Sequence, residues 1–168
     1  VGCDVGSPSP SMKVGDDTAT ETAATGPACE ANVIAPDGGL SGTGYALGDT
    51  AYNVELVDQH GAQVALYDFH GCVVVLDLVT QWCGPCKEEA PSLELIHREL
   101  SPDVVVLAVL LETADGEPPR REHAQWWADR FGLTHPVLAD TYASQYNYTG
   151  GSFPTVVLLD RAMTIVHT

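Results

Sequence analysis

The chain is 168 residues long, enough for one domain and a tail, and 45% of its residues are hydrophobic, enough to fill a core. Seven Lys and Arg stand against 23 Asp and Glu, a net charge of −16, so nucleic acid and anionic lipid surfaces are excluded as partners by repulsion. No stretch reaches the ~18–20 apolar residues that a membrane-spanning helix needs.

Residues 4–44 are dense in Gly, Ser, Thr, Ala, Pro and Asp and show no sustained apolar period. Residues 1–44 are therefore expected to be a flexible tether, and residues 45–168 the folded domain. Residues 53–58 and 62–68 read as a β-hairpin around His60-Gly61. Residues 73–79 form a continuous apolar run broken only by Asp77, the pattern of a buried central strand. A helix over 84–100 follows, with apolar residues at Leu93, Ile96 and Leu100 expected on one face. Residues 104–111 are wholly apolar and predict a second buried strand. Pro118-Pro119 precede a helix over 120–131 whose core face is Ala124, Trp127, Ala128 and Phe131, and Gly132 ends it. A short helix over 141–147 and strands over 155–159 and 163–167 complete the chain. Strands alternating with helices in this way predict an α/β sandwich around a central sheet, with an N-terminal β-hairpin extension.

The chemistry is concentrated in Trp82-Cys83-Gly84-Pro85-Cys86. Two cysteines three apart, where a buried strand runs into a helix, make a reversible dithiol. The first sulfur lies over the helix N-terminus, where unpaired N–H groups and the helix dipole favour thiolate over thiol. Half a zinc site has the same spacing, but no second pair accompanies it; Cys29 and Cys72 stand alone. An inert staple does not fit either, because such a bridge is poised to exchange. Cys83, nearest the helix start, is expected to be the nucleophile, and Cys86, one turn on, the residue that resolves the mixed disulfide. Asp77, an acid inside an apolar strand, is the first candidate for the base that helps Cys86 lose its proton.

This motif resembles the active site of the thioredoxin superfamily. Pro91, eight residues after Cys83, is similar to the proline that kinks the superfamily's active-site helix. Asp77, six residues before Cys83, resembles its buried acid, and Phe153-Pro154-Thr155 resembles its cis-proline loop. Tyr45-Ala46-Leu47-Gly48-Asp49 and the strand pair around Gln59-His60-Gly61 are similar to the extension of the TlpA/ResA, or redoxin, branch. The resemblance covers residues 45–168 and implies a thioredoxin-like fold and an extracytoplasmic thiol-disulfide oxidoreductase that reduces protein disulfides, with neither cofactor nor metal. It implies that Glu89, three residues past Cys86, is an active-site glutamate. It also implies that the backbone of Phe153, before Pro154, receives the substrate as an added strand. Trp82 is expected to flank the dithiol as an apolar platform, and Gly84-Pro85 to set a reducing poise, nearer −270 mV than about −120 mV. The superfamily usually closes with a helix; here the sequence stops at Thr168 inside the last expected strand, so that helix is expected to be absent.

Three cysteines lie outside the motif. Val1-Gly2-Cys3 resembles the end of a bacterial lipoprotein signal, which implies lipidation of Cys3 and a membrane attachment through that anchor alone. Cys29 and Cys72 are expected to form a second, structural disulfide, in keeping with a periplasmic or other extracytoplasmic compartment. The implied partners are a disulfide-containing protein and a thiol electron donor, such as a membrane transporter of reducing equivalents. Three alternatives compete. Thr80, three before Cys83, also fits a peroxiredoxin-like peroxidase, although Leu76 stands where that motif has proline. Cys83 and Cys86 with His135 or His123 would make a copper-handling module. A lipoprotein that keeps the fold with an inert dithiol is the third.

Overall fold

The structure, a computed structural model, describes residues 39–168. Its centre is set by the two apolar runs, β3 (Val73–Thr80) and β4 (Val104–Glu112), which lie side by side in parallel with Val73 opposite Val104 and Asp77 opposite Ala108. Parallel neighbours need a long crossover; α1 (Gly84–Leu100) supplies it, and α2 (Arg121–Phe131) joins β4 to a short parallel strand, β5 (Val137–Ala139). The hairpin of β1 (Glu55–Asp58) and β2 (Gln63–Ala65) adds antiparallel to β5, and β6 (Thr155–Leu159) and β7 (Ile165–His167) extend the other edge antiparallel. The result is a seven-stranded mixed sheet in the order β2-β1-β5-β4-β3-β6-β7.

Side chains alternate across this sheet. Val74, Leu76 and Leu78 of β3 join Leu107, Val109 and Leu111 of β4 on one face. That face is covered by Ala51, Val54, Leu66, Tyr148 and Met163 from the connecting segments and 3₁₀ turns, with Tyr45 and Tyr67 packed against them. On the opposite face Val79, Ala108 and Leu110 pack under Cys86, Ala90, Ala124, Trp127 and Ala128 of the two helices, and Val75 and Val106 meet Leu93. Asp77, between Val75 and Val79, therefore faces α1. Val156 and Leu158 of β6 are half-buried against the cluster of Val75, Leu93 and Val106, and Val166 of the edge strand β7 is exposed.

Several elements depart from their sequence expectation. The buried stripe of α1 is Cys86, Ala90, Leu93 and Glu94, while Ile96 and Leu100 are exposed. The stripe steps by 4, 3 and 1 from Cys86, so it leaves Ile96 and Leu100 on the outer flank. The second arm of the hairpin ends at Ala65 and gives way to a 3₁₀ turn, Leu66–Phe69, in which Asp68 accepts the Ala65 N–H. In place of a helix over 141–147, Asp140 accepts the Ser144 hydroxyl and the Gln145 N–H, Ala143 takes φ +54°, and only Tyr146–Tyr148 winds as 3₁₀. Strand β5, three residues long, is too short to show a period. Helix α2 begins at Arg121, with its expected face Ala124, Trp127 and Ala128 buried and Gly132 ending it at φ +65°.

Candidate active site

Thr80 ends β3, and the chain turns sharply: the Cys83 N–H donates to Thr80 O, and the Gln81 N–H donates to Glu112 O at the end of β4. Cys83 is then the N-cap of α1, with Pro85 in the first turn, where its missing N–H is not needed. Cys83 and Cys86 are joined by a disulfide with Cα atoms 5.4 Å apart, and the Cys83 Sγ accepts the Cys86 N–H at 3.1 Å. A sulfur thus does what Ser or Asp oxygen does at other N-caps, and on reduction the same N–H is directed at a Cys83 thiolate. Both cysteines are buried, Cys86 fully, whereas Gly84 and Pro85 are exposed.

Behind the dithiol lies Asp77, 1% exposed, with Oδ1 bonded to nothing in the protein. Burial, assisted by the charge of Glu89, pushes its carboxyl up to about 8. Glu89, half-buried on α1 three residues past Cys86, has its own carboxyl raised by burial and one buried oxygen without a protein partner. Asp77, on the face of β3 that meets α1, and Glu89, on α1, thus interact on the side of the sheet that carries Cys83 and Cys86. A residue with pKa near 8 exchanges protons with a thiol at little thermodynamic cost, since a free cysteine titrates near 8.5.

The outer wall is aromatic. Trp82 is 49% exposed and meets the Phe153 ring edge-on at 5.6 Å. The Phe153-Pro154 peptide is cis, and Phe153 packs on the cluster that contains Cys83 and Cys86. Two residues that the sequence reading passed over belong here. Tyr146 touches the other side of Phe153 edge-on at 5.8 Å, and Glu112 accepts the Trp82 indole N–H at 2.5 Å and the Tyr146 hydroxyl. The signal for Glu112 was present, a lone acid closing the apolar run 104–111; nothing in the sequence marks Tyr146. Next to this wall runs a groove of about 990 Å³ lined by Gln81, Thr113, Arg120, His123, Trp126 and Thr141.

The remaining candidates are dispersed. Cys72 is fully buried and disulfide-bonded; Cys3 and Cys29, and with them most of the expected tether, lie outside the described residues. His135 is buried against His97 (ring centroids 5.7 Å apart) with Nδ1 on the Pro136 carbonyl, and His123 Nδ1 accepts the Arg120 N–H. Among the described residues no group of three His, Cys, Asp or Glu is arranged to hold a metal ion.

The AhpC/TSA family profile matches residues 47–168. The thiol-disulfide oxidoreductase ResA of Geobacillus thermodenitrificans is 36% identical over 121 residues, 71% of this chain and 66% of that protein. The thioredoxin-like protein YneN of Bacillus subtilis is 30% identical over 117 residues, 70% of this chain and 67% of the relative. The chain thus spans about two thirds of the length of these curated relatives. Among solved structures, the exposed lipoprotein thioredoxin of Streptococcus pneumoniae superposes with a TM-score of 0.56 at 28% identity, covering 68% of this chain and 86% of that one. With the mixed thioredoxin-like sheet and the capped dithiol, these similarities make the assignment: the chain belongs to the AhpC/TSA redoxin family, among its thiol-disulfide oxidoreductases.

Proposed function

We propose that this protein reduces disulfides of protein substrates in an extracytoplasmic compartment, through the Cys83–Cys86 pair. The observation that carries thiol-disulfide exchange is the N-cap position of Cys83, whose sulfur accepts the Cys86 N–H and so is held as a nucleophilic thiolate when reduced; the reducing direction rests on the Gly84-Pro85 dipeptide. In the reduced enzyme the Cys83 thiolate attacks one sulfur of the substrate disulfide. That S–S bond breaks, a mixed disulfide forms, and the departing substrate thiolate takes a proton from solvent. Cys86 then gives its proton to the Asp77 carboxylate and attacks the Cys83 sulfur. The enzyme disulfide closes, and the second substrate sulfur leaves as a thiolate. Two electrons pass from the dithiol to the substrate, and an external thiol donor, such as a membrane transporter of reducing equivalents, must restore them. Burial, with Glu89 adding to it, raises the proton affinity of Asp77, and Gly84-Pro85 sets the poise. Trp82 and Phe153 form the apolar platform, with the backbone before Pro154 pairing with the substrate chain.

Lipidation of Cys3 and a Cys29–Cys72 bridge belong to the same proposal, and residues 1–44 are its tether. The lipoprotein in the name of the pneumococcal relative supports that reading. The peroxidase alternative is weaker, because Leu76 occupies the proline position of that motif and the ResA relative is named a thiol-disulfide oxidoreductase.

The test is the reduction potential of Cys83–Cys86, obtained by equilibrating the protein with dithiothreitol or glutathione buffers and trapping free thiols for mass analysis. A value below about −230 mV is expected for a reductase; one of about −120 to −180 mV would make the protein an oxidase or isomerase instead.

A further inference from the structure

We infer that Glu112 is a positioning residue: its carboxylate fixes the aromatic wall against which a polypeptide disulfide is presented to Cys83. Glu112 sits at the last position of β4, directly beside the strand that delivers the dithiol. One of its oxygens accepts from Trp82, the residue before the nucleophile; the other accepts from Tyr146, on the loop that leads to Phe153-Pro154. Its backbone carbonyl takes the Gln81 N–H, so three bonds tie the strand end to the motif and to the loop.

Both side-chain donors are neutral. A carboxylate accepting from them forms charge-assisted bonds, about twice as strong as neutral ones. The proton stays on the Tyr146 oxygen, because burial, the bond to Glu112 and the charge of Glu112 all raise the phenol's pKa. Between the tethered rings stands Phe153, edge-on to each with interplanar angles of 88°. Phe153 has no polar group to orient it, so its position follows from the two rings, and theirs from the one carboxylate. Edge-to-face contacts add only modestly to burial, so the carboxylate is the stronger tether on the half-exposed indole. A small disulfide reaches Cys83 without this wall, whereas a polypeptide must lie along it.

This inference rests on the proposed reduction of protein disulfides, and its test separates the two. Full-length wild type, Glu112→Leu, Glu112→Gln and Tyr146→Phe are compared in insulin reduction with dithiothreitol as electron source, and in reduction of 5,5′-dithiobis(2-nitrobenzoate). Glu112→Leu, which loses both bonds, is expected to raise the KM for insulin about tenfold, the equivalent of 1.4 kcal/mol. Its kcat and its rate with the small disulfide should stay within about twofold of wild type, as expected when only binding is weakened. Tyr146→Phe and Glu112→Gln each keep one bond, and their KM should fall between. Trp82 emission should shift in Glu112→Leu but not in Tyr146→Phe. An unchanged insulin KM in Glu112→Leu overturns the inference, as does an equal loss with both substrates alongside a lowered Tm. A wild-type protein inert toward insulin overturns the functional reading, and the presentation role with it.

Discussion

Thr134 donates twice to Glu94, from its backbone N–H and its hydroxyl, each at 2.7 Å. The pair pins the middle of α1 to the loop after α2, 40 positions away in sequence, and Arg98 adds a third bond to Glu94 at 2.6 Å. Burial opposes ionisation of Glu94, but the Thr134 and Arg98 donors overcome it and bring the carboxyl down to about 2.

A depressed carboxylate contributes stability that is complete above its unfolded pKa and is lost as pH falls through the folded one. Glu94→Gln is therefore expected to lose about 3 kcal/mol at pH 7, with the gap to wild type constant above about pH 5 and closing toward pH 2. Urea denaturation of the oxidised protein across that range checks it. A gap that does not narrow in acid would mean that the carboxylate's charge does not matter.

Asp77 carries the opposite sign. Its folded carboxyl holds a proton up to about 8, while the unfolded chain loses it near 3.8. Between those values the unfolded state binds fewer protons, so stability falls as pH rises through the window and the penalty is complete above about 8. Asp77→Asn does not titrate. It should match wild type near pH 4 and exceed it by on the order of 6 kcal/mol at pH 8.5, read from the same denaturation series.

In the proposed mechanism the same proton governs the resolving step. Asp77→Asn is expected to slow release of the second substrate thiol about 10²-fold, the usual contribution of a positioned base. Glu89→Gln removes the charge that helps raise Asp77, so the pH midpoint of that release should move below that of wild type. Single-turnover thiol release against pH distinguishes the variants. A midpoint indifferent to both substitutions would remove Asp77 from the proton path.

Cys86→Ser should trap the mixed disulfide between Cys83 and a protein substrate, visible by non-reducing mass analysis, and Cys83→Ser should trap nothing. Trapping by Cys83→Ser and not by Cys86→Ser would reverse the assigned order of attack, and equal trapping by both would abolish it.

Much of this was legible in the sequence because the dithiol, the buried acid and the proline loop are local features with fixed spacing. The two central strands were equally plain, since burial on both faces writes an unbroken apolar run. What escaped was set by long-range contact. The inner stripe of α1 starts from Cys86 and includes the charged Glu94, acceptable inside only because Thr134 meets it. Nor does any local pattern announce β5, whose three residues are a strand because β1 and β4 flank them. Likewise Tyr146 acquires its place from Glu112, 34 positions earlier.

The cap at Cys83 closes a thermodynamic cycle. The bond from the Cys86 N–H to sulfur exists only in the folded chain, and a thiolate accepts it more strongly than a disulfide sulfur does. Whatever it adds to the folding free energy of the reduced protein beyond that of the oxidised protein must reappear as a shift in the couple, about 30 mV for each 1.4 kcal/mol. Two urea titrations, one on each redox form, therefore measure how far folding moves the potential of this Cys-Gly-Pro-Cys segment without a redox buffer. A substitution in the first turn of α1 that strengthens the cap makes the protein a poorer reductant while making its reduced form harder to unfold.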